Sequence, residues 1–213
     1  MDFHTFKKLY QKYPIIPAND ISKKMPRQQE FRNQLTRWKQ KNLIVLLKRG
    51  MYLLNEEDRK ITPSAYFIAK QLYAPSYISL ETALSHYGLI PERVADITSV
   101  TTKKTNCFNN FMGNFVYRHI KPEAFRGFLL KKDDNHLSYF IATAEKCVVD
   151  FLYLNLDRFS AADKEVFKDS YRFQNLDSLK KTKLIAHARL FKNRRLLRMT
   201  KLFCEFIKEG TQP

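Results

Sequence analysis

The stretch from Pro26 to Leu54, PRQQEFRNQLTRWKQKNLIVLLKRGMYLL, changes its period once, from helical to extended, and that change constrains the fold more than any other feature. Proline suits a first helical position, because its missing N–H would be unpaired there anyway. Phe31, Leu35 and Trp38 recur at i, i+4 and i+7, the spacing of one helical face. The opposite face carries Gln29, Asn33, Thr36, Arg37 and Gln40, with Arg32 on the flank and Glu30 at the edge. Asn42 closes the helix, and two β-prone runs follow, Leu43–Leu47 and Met51–Leu54, joined through Lys48-Arg49-Gly50. Gly50 can supply the positive φ of a tight hairpin. A helix with an arginine and amide face, followed at once by a hairpin with a basic tip, reads as the second half of a winged helix-turn-helix. Such a helix enters a DNA major groove while the wing tracks the backbone. The plainer alternative is a solvated helix packed on an ordinary hairpin.

What precedes this stretch fits. Phe3, Phe6, Leu9 and Tyr10 share a helical face that Pro14 ends, Ile15-Ile16 is extended, and Asn19-Asp20 can cap a short helix from Ile21 to Met25. Asn55 to Lys60 is polar and aperiodic. The expected fold is therefore α+β: a winged helix-turn-helix over residues 1–58, then a mixed α/β domain over 59–213. That second domain is expected to have a small sheet and a basic helical C-terminus.

In the second domain, Ser64–Tyr73 is expected to be helical, and Ser79 to cap a helix through Tyr87 that ends at Gly88. Ile97–Thr102, Asn114–Ile120, Phe125–Leu130 and Ser138–Ala142 read as strands. The Asn-rich Lys103–Gly113 reads as a loop, and Lys131–Asn135 as a turn. Thr143 caps a helix lined by Ala144, Cys147, Val148, Phe151 and Leu152. Ala161–Tyr171 is expected to be helical, and so is Leu176–Ile207, with one break near Thr182–His187 or at Lys192-Asn193.

Charge distribution narrows the partners. The net charge of +17 is split between two ends. Residues 1–60 carry 14 Lys/Arg against 6 Asp/Glu, residues 61–177 carry 14 against 13, and residues 178–213 carry 10 against 2. Segregated basic ends point to a polyanionic partner. Cys107, Cys147 and Cys204 lie far apart, which predicts neither a disulfide framework nor a zinc site but buried thiols in a reducing cytosol. The longest apolar run, Leu43–Leu47, is too short to span a membrane, and no signal peptide is expected.

Chemistry is harder to find than packing. Asp133, Asp134 and His136 fall in a polar turn, His119 on a strand as a partly buried hydrogen-bonded side chain, and His86 near a helix end. Glu145, Lys146 and Asp150 are expected on the outer sides of their helix. None of these forms a catalytic constellation, and no glycine-rich phosphate loop exists. The expectation is no catalytic residue, no metal and no cofactor.

One ordered set of motifs is recognisable: RGMYLL, SLETALSHYGLIPE, ITSVTTKKT, FRGF and ATAEKCVVDFLY. Their order and spacing over roughly residues 10 to 155 resemble the AbiEi family, antitoxins of abortive-infection toxin–antitoxin systems. The matching positions are Arg49, Gly50, Tyr52, Ser79, Leu80, Ala83, Leu84, His86, Gly88, Leu89, Thr101, Thr102, Glu145, Lys146 and Asp150. The resemblance implies an N-terminal winged helix that binds inverted repeats in its own promoter and represses it. It also implies a C-terminal domain that counters a cognate nucleotidyltransferase toxin of the AbiEii type without stably occluding it.

The expected DNA-contacting residues are Arg27, Gln28, Gln29, Arg32, Asn33, Thr36, Arg37 and Lys41 on the helix, with Lys48 and Arg49 on the wing. Arginine suits guanine and Asn/Gln suit adenine bidentately, whereas wing lysine and arginine suit phosphate. A second basic surface comprises Lys180, Lys181, Lys183, Arg189, Lys192, Arg194, Arg195, Arg198 and Lys201. It could hold phosphate, an acidic partner or RNA. The partners expected are double-stranded DNA and the toxin, with RNA as an alternative and no membrane, in the cytoplasm.

Overall fold

A computed structural model describes residues 1–22, 28–159, 164–169 and 171–209. The N-terminal elements are α1 (Phe3–Tyr10), β1 (Ile16–Pro17), α2 (Ala18–Ser22), α3 (Gln28–Gln40), β2 (Ile44–Lys48) and β3 (Met51–Leu54). The expected start of the third helix at Pro26 lies outside the described residues. Asp2 caps α1 by accepting from the Thr5 amide at 2.8 Å, and this bond holds the Asp2 carboxyl below its usual range. The three strands form an antiparallel sheet in the order β1-β3-β2. The hairpin turn is Arg49-Gly50, with Gly50 at φ +80° and Lys48 in the strand rather than the turn.

Period decides which core each side chain joins. Phe6, Tyr10, Ile16, Ile21, Phe31, Leu35, Trp38, Ile44 and Leu54 close one core between the helices and one face of this sheet. The Phe6 and Trp38 rings stand 4.7 Å apart. Alternation along β3 sends Tyr52 and Leu54 into that core, and Met51 and Leu53 toward the second, larger one. Ile15 and Leu47 join the larger core as well. The small sheet is thus apolar on both faces and couples the two halves of the chain.

The larger half contains α4 (Ala65–Leu72), β4 (Ser76–Ile78), α5 (Leu80–His86), β5 (Ile97–Thr101), β6 (Asn106–Asn110), β7 (Gly113–His119), β8 (Phe128–Lys132) and β9 (Ser138–Ala142). It ends with α6 (Ala144–Leu154), α7 (Glu165–Asp169), α8 (Lys181–Leu190) and α9 (Arg194–Glu209). Six strands form a mixed sheet in the order β6-β7-β5-β4-β9-β8. Of the expected helix 161–171, only Glu165–Asp169 is described as helical. The architecture is α+β.

Three expectations are corrected here. The Asn-rich loop contains a strand, β6, because Asn106–Asn110 pairs with β7 from Tyr117 back to Gly113; ladder pairing overrides the low strand propensity of asparagine. Ser79 does stand at the N-cap of α5 but makes no side-chain cap bond, because the Thr82 amide donates to Thr98 Oγ1 at 3.1 Å, while the Ser79 hydroxyl donates to Asp150. The C-terminal helix expected from Leu176 begins only at Lys181, after a 3-10 turn at Leu176–Ser178, and its expected break falls at Phe191–Asn193. Lys192 there takes a left-handed φ of +48°, and Asn193 Oδ1 accepts from the Leu196 amide.

The FRGF glycine has a packing reason. Gly127 has φ +84°, and a Cβ placed on it would lie 2.5 Å from Cε1 of His187 on α8. Gly127→Ala is expected to cost roughly 1–2 kcal/mol for the left-handed backbone and about 1–3 kcal/mol more for displacing the ring. Urea denaturation of the single variant and of Gly127→Ala/His187→Ala separates the two parts, since removing the ring relieves only the second. Equal losses in both backgrounds would show that the ring does not matter.

Candidate nucleic-acid interface

On α3, the apolar stripe Phe31, Leu35 and Trp38 is buried, which forces the other side outward. Gln29, Arg32, Asn33, Thr36, Arg37 and Gln40 are all exposed, and so is Lys41 just beyond the helix. Arg27 lies outside the described residues, and for Gln28 only the backbone is described. The Thr36 hydroxyl donates to the Arg32 carbonyl at 3.0 Å, so it keeps acceptor capacity alone. Among the described residues no ion pair neutralises Arg32, Arg37 or Arg49.

Arg32 and the β2–β3 turn meet across a cleft of about 440 Å³, lined by Ala18, Asn19, Phe31, Arg32, Leu35, Arg49, Gly50 and Tyr52. The sequence placed Arg32 and Arg49 on separate elements; the antiparallel return of β3 against β1 brings them to one opening. Lys48, expected on phosphate, is placed differently. Its Nζ donates to the Leu72 carbonyl at 2.5 Å and lies over the Phe108 ring, so it is engaged inside the protein. Burial, with Lys103 nearby, holds the Lys48 ammonium below its ordinary pKa. The bulge between Leu46 and Lys48 accompanies this turn of the side chain away from the hairpin tip.

The basic C-terminal residues do not form one surface. On α9, Arg194, Arg198 and Lys201 are exposed along one stripe. Arg195 faces sideways, where it pairs with Asp157 and donates to the Phe159 carbonyl, each at 3.2 Å. Lys181, Arg189 and Lys201 rim a groove of about 550 Å³ between α8 and α9, floored by Ile185, Ala186 and Cys204. Lys183 lies 3.8 Å from Glu145, and Lys180 and Lys192 are exposed.

The polar residues of α6 require correction. Glu145, Lys146 and Asp150, expected on outer sides, are buried, with Lys146 and Asp150 at 0% exposure. The helix is covered on all sides, by the sheet and α5 on one side and by α8 and α9 on the other. Lys146 Nζ and Asp150 Oδ1 form an ion pair. Asp150 Oδ2 accepts from Tyr77 Oη at 2.8 Å and Ser79 Oγ at 2.9 Å. Burial, followed by Asp150, pushes the Tyr77 hydroxyl far above its usual pKa, which keeps it a donor. The network ties α6 to β4 through Tyr77 and to the start of α5 through Ser79. The spacing Lys-x-x-x-Asp was the available signal, since i,i+4 residues share a helical face.

Asp133 accepts from the amides of Ser64, Asn135 and Leu137. Desolvation acts against its charge, but these bonds outweigh it and hold the carboxyl below its ordinary range. His119, expected to be partly buried, is exposed, with Nδ1 3.0 Å from the Lys103 carbonyl. Cys147 and Cys204 are buried as expected, whereas Cys107 is exposed on the outer strand β6. Among the described residues no cluster of His, Cys, Asp or Glu could hold a metal ion, and no helix is long and apolar enough to cross a membrane.

No protein-family model and no curated protein sequence matches the chain.

Proposed function

We propose that residues 1–58 form a winged helix-turn-helix and that the protein is a sequence-specific DNA-binding regulator. Within that class, we propose an autorepressor and antitoxin of the AbiEi kind. It binds inverted repeats in its own promoter and opposes a nucleotidyltransferase toxin. One observation carries the DNA-binding reading: the Arg/Asn/Gln side of α3 is solvent-exposed and shares a cleft with the wing turn through Arg32 and Arg49. The element order supports it. A strand between the first two helices pairs with the second strand of the hairpin, as in winged helices, where the third helix reads the major groove. The antitoxin half rests on the order of the AbiEi-like motifs.

Footprinting on the DNA upstream of the protein's own coding sequence tests the reading. A protected inverted repeat is expected, with binding that weakens linearly in log salt as phosphate counterions are released. Neutralising Arg194, Arg195 and Arg198 is expected to leave that protection in place. Protection lost there but kept in Arg32→Ala would overturn the reading in favour of an RNA- or polyanion-binding protein acting through its C-terminal helices.

A further inference from the structure

Phe111 is 86% exposed, the most exposed large apolar side chain among the described residues. A lone apolar residue at a surface says little by itself; its position carries the argument. Asn110 pairs with Gly113, so Phe111-Met112 is the two-residue turn of the β6–β7 hairpin. The turn is fastened at its base. Asn110 Oδ1 accepts from the Met112 amide at 2.8 Å, and Asn110 Nδ2 donates to the Leu47 carbonyl of β2 at 3.0 Å. The aromatic ring is thus held out into solvent by a hairpin anchored to the wing.

Phe111 also lines a cleft of about 640 Å³ together with Lys39, near the end of α3, Ile44–Leu46 of β2, and Glu56, whose carboxylate lies 3.8 Å from Arg59. Lys39 is seven residues from Arg32, on the same stripe of the helix and about 10 Å further along it. Arg32 opens on the wing turn. One flank of α3 therefore runs from the Arg49-Gly50 turn at one end to the Phe111-Met112 turn at the other. A duplex that takes α3 in its major groove presents a minor groove beyond each end of the helix. Apolar side chains that bind there act as wedges between base steps.

We propose that the β6–β7 turn is a second DNA-contacting arm, with Phe111 stacking on a base step in the minor groove beside the C-terminal end of α3. This rests on the repressor reading and adds to it a contact from the second domain. The test uses the full chain and a duplex selected by it from a random pool, with 2-aminopurine placed in turn at each flanking position. Wild-type protein is expected to raise the fluorescence at one flanking step. Phe111→Ala is expected to abolish that rise and weaken binding about tenfold with unchanged thermal stability, while Phe111→Trp keeps both. Equal affinity of wild type and Phe111→Ala without a fluorescent step, with Arg32→Ala still weakened, would overturn the arm and leave the repressor standing. Failure to select any duplex would remove both.

Discussion

Asp150→Ala is expected to lower the stability of the protein by about 3–5 kcal/mol, the usual cost of stranding one partner of a buried ion pair. Folding free energies lie at about 5–15 kcal/mol, so the variant should be barely folded or unfolded at room temperature. The reason is local. Asp150 is fully buried, and it accepts from Lys146, Tyr77 and Ser79 at once. Removing it leaves an ammonium and two hydroxyls without their acceptor. The Lys146 ammonium then keeps only aromatic faces, since its Nζ lies 4.8 Å from the Phe191 ring centroid and 5.7 Å from that of Tyr77. Lys146→Met/Asp150→Leu removes both charges and should recover part of the loss. Urea denaturation followed by circular dichroism reads both. A loss below about 1 kcal/mol in Asp150→Ala would mean that water reaches the pair, contrary to the burial described.

Arg32→Ala/Arg37→Ala should behave in the opposite way, with little loss of stability and a large loss of binding. Both side chains are exposed, so truncating them should change folding by no more than about 0.5 kcal/mol. If each contacts a base edge, each contributes about 1–3 kcal/mol of discrimination. Together they should weaken operator binding between roughly 30-fold and 10⁴-fold. Arg49→Ala should instead reduce the salt slope by about one, as a single phosphate contact does. Lys48→Ala should leave that slope alone, because its ammonium is bound to the Leu72 carbonyl. Gel-shift titrations at several salt concentrations separate these outcomes. A double variant that binds within threefold of wild type, with an unchanged melting temperature, would move the contact surface off α3.

What reads from the sequence is what short-range physics decides. The apolar period of α3, the positive-φ role of Gly50 and the helix end at Asn42 follow from spacing and residue type. The Thr143 cap follows from the same local chemistry, its hydroxyl accepting from the Lys146 amide three residues on. The polar face of α3 was legible for the same reason, since burying Phe31, Leu35 and Trp38 leaves Arg32, Asn33 and Arg37 nowhere but outside. The local pattern could not say what else would come to lie against a given side chain.

Lys48 sits beside the β2–β3 turn in sequence, yet α4, in the larger half, supplies the Leu72 carbonyl that captures it. Ser79 has the chemistry of a cap, but the Thr82 amide it would cap donates to Thr98 on β5, and its own hydroxyl donates to Asp150, 71 residues away. Glu145, Lys146 and Asp150 look like solvent-facing charges until α8 and α9 close over α6. Even Asn106–Asn110 becomes a strand only because β7 lies alongside it. Local periodicity, caps and turn residues are set by interactions a few residues long, so the sequence alone determined the helices, the hairpin and the outward basic face. The burial of a charge, the partner of a hydroxyl and the meeting of Arg32 with Arg49 depend on elements far apart in the chain, and only the packing of one against another decided them.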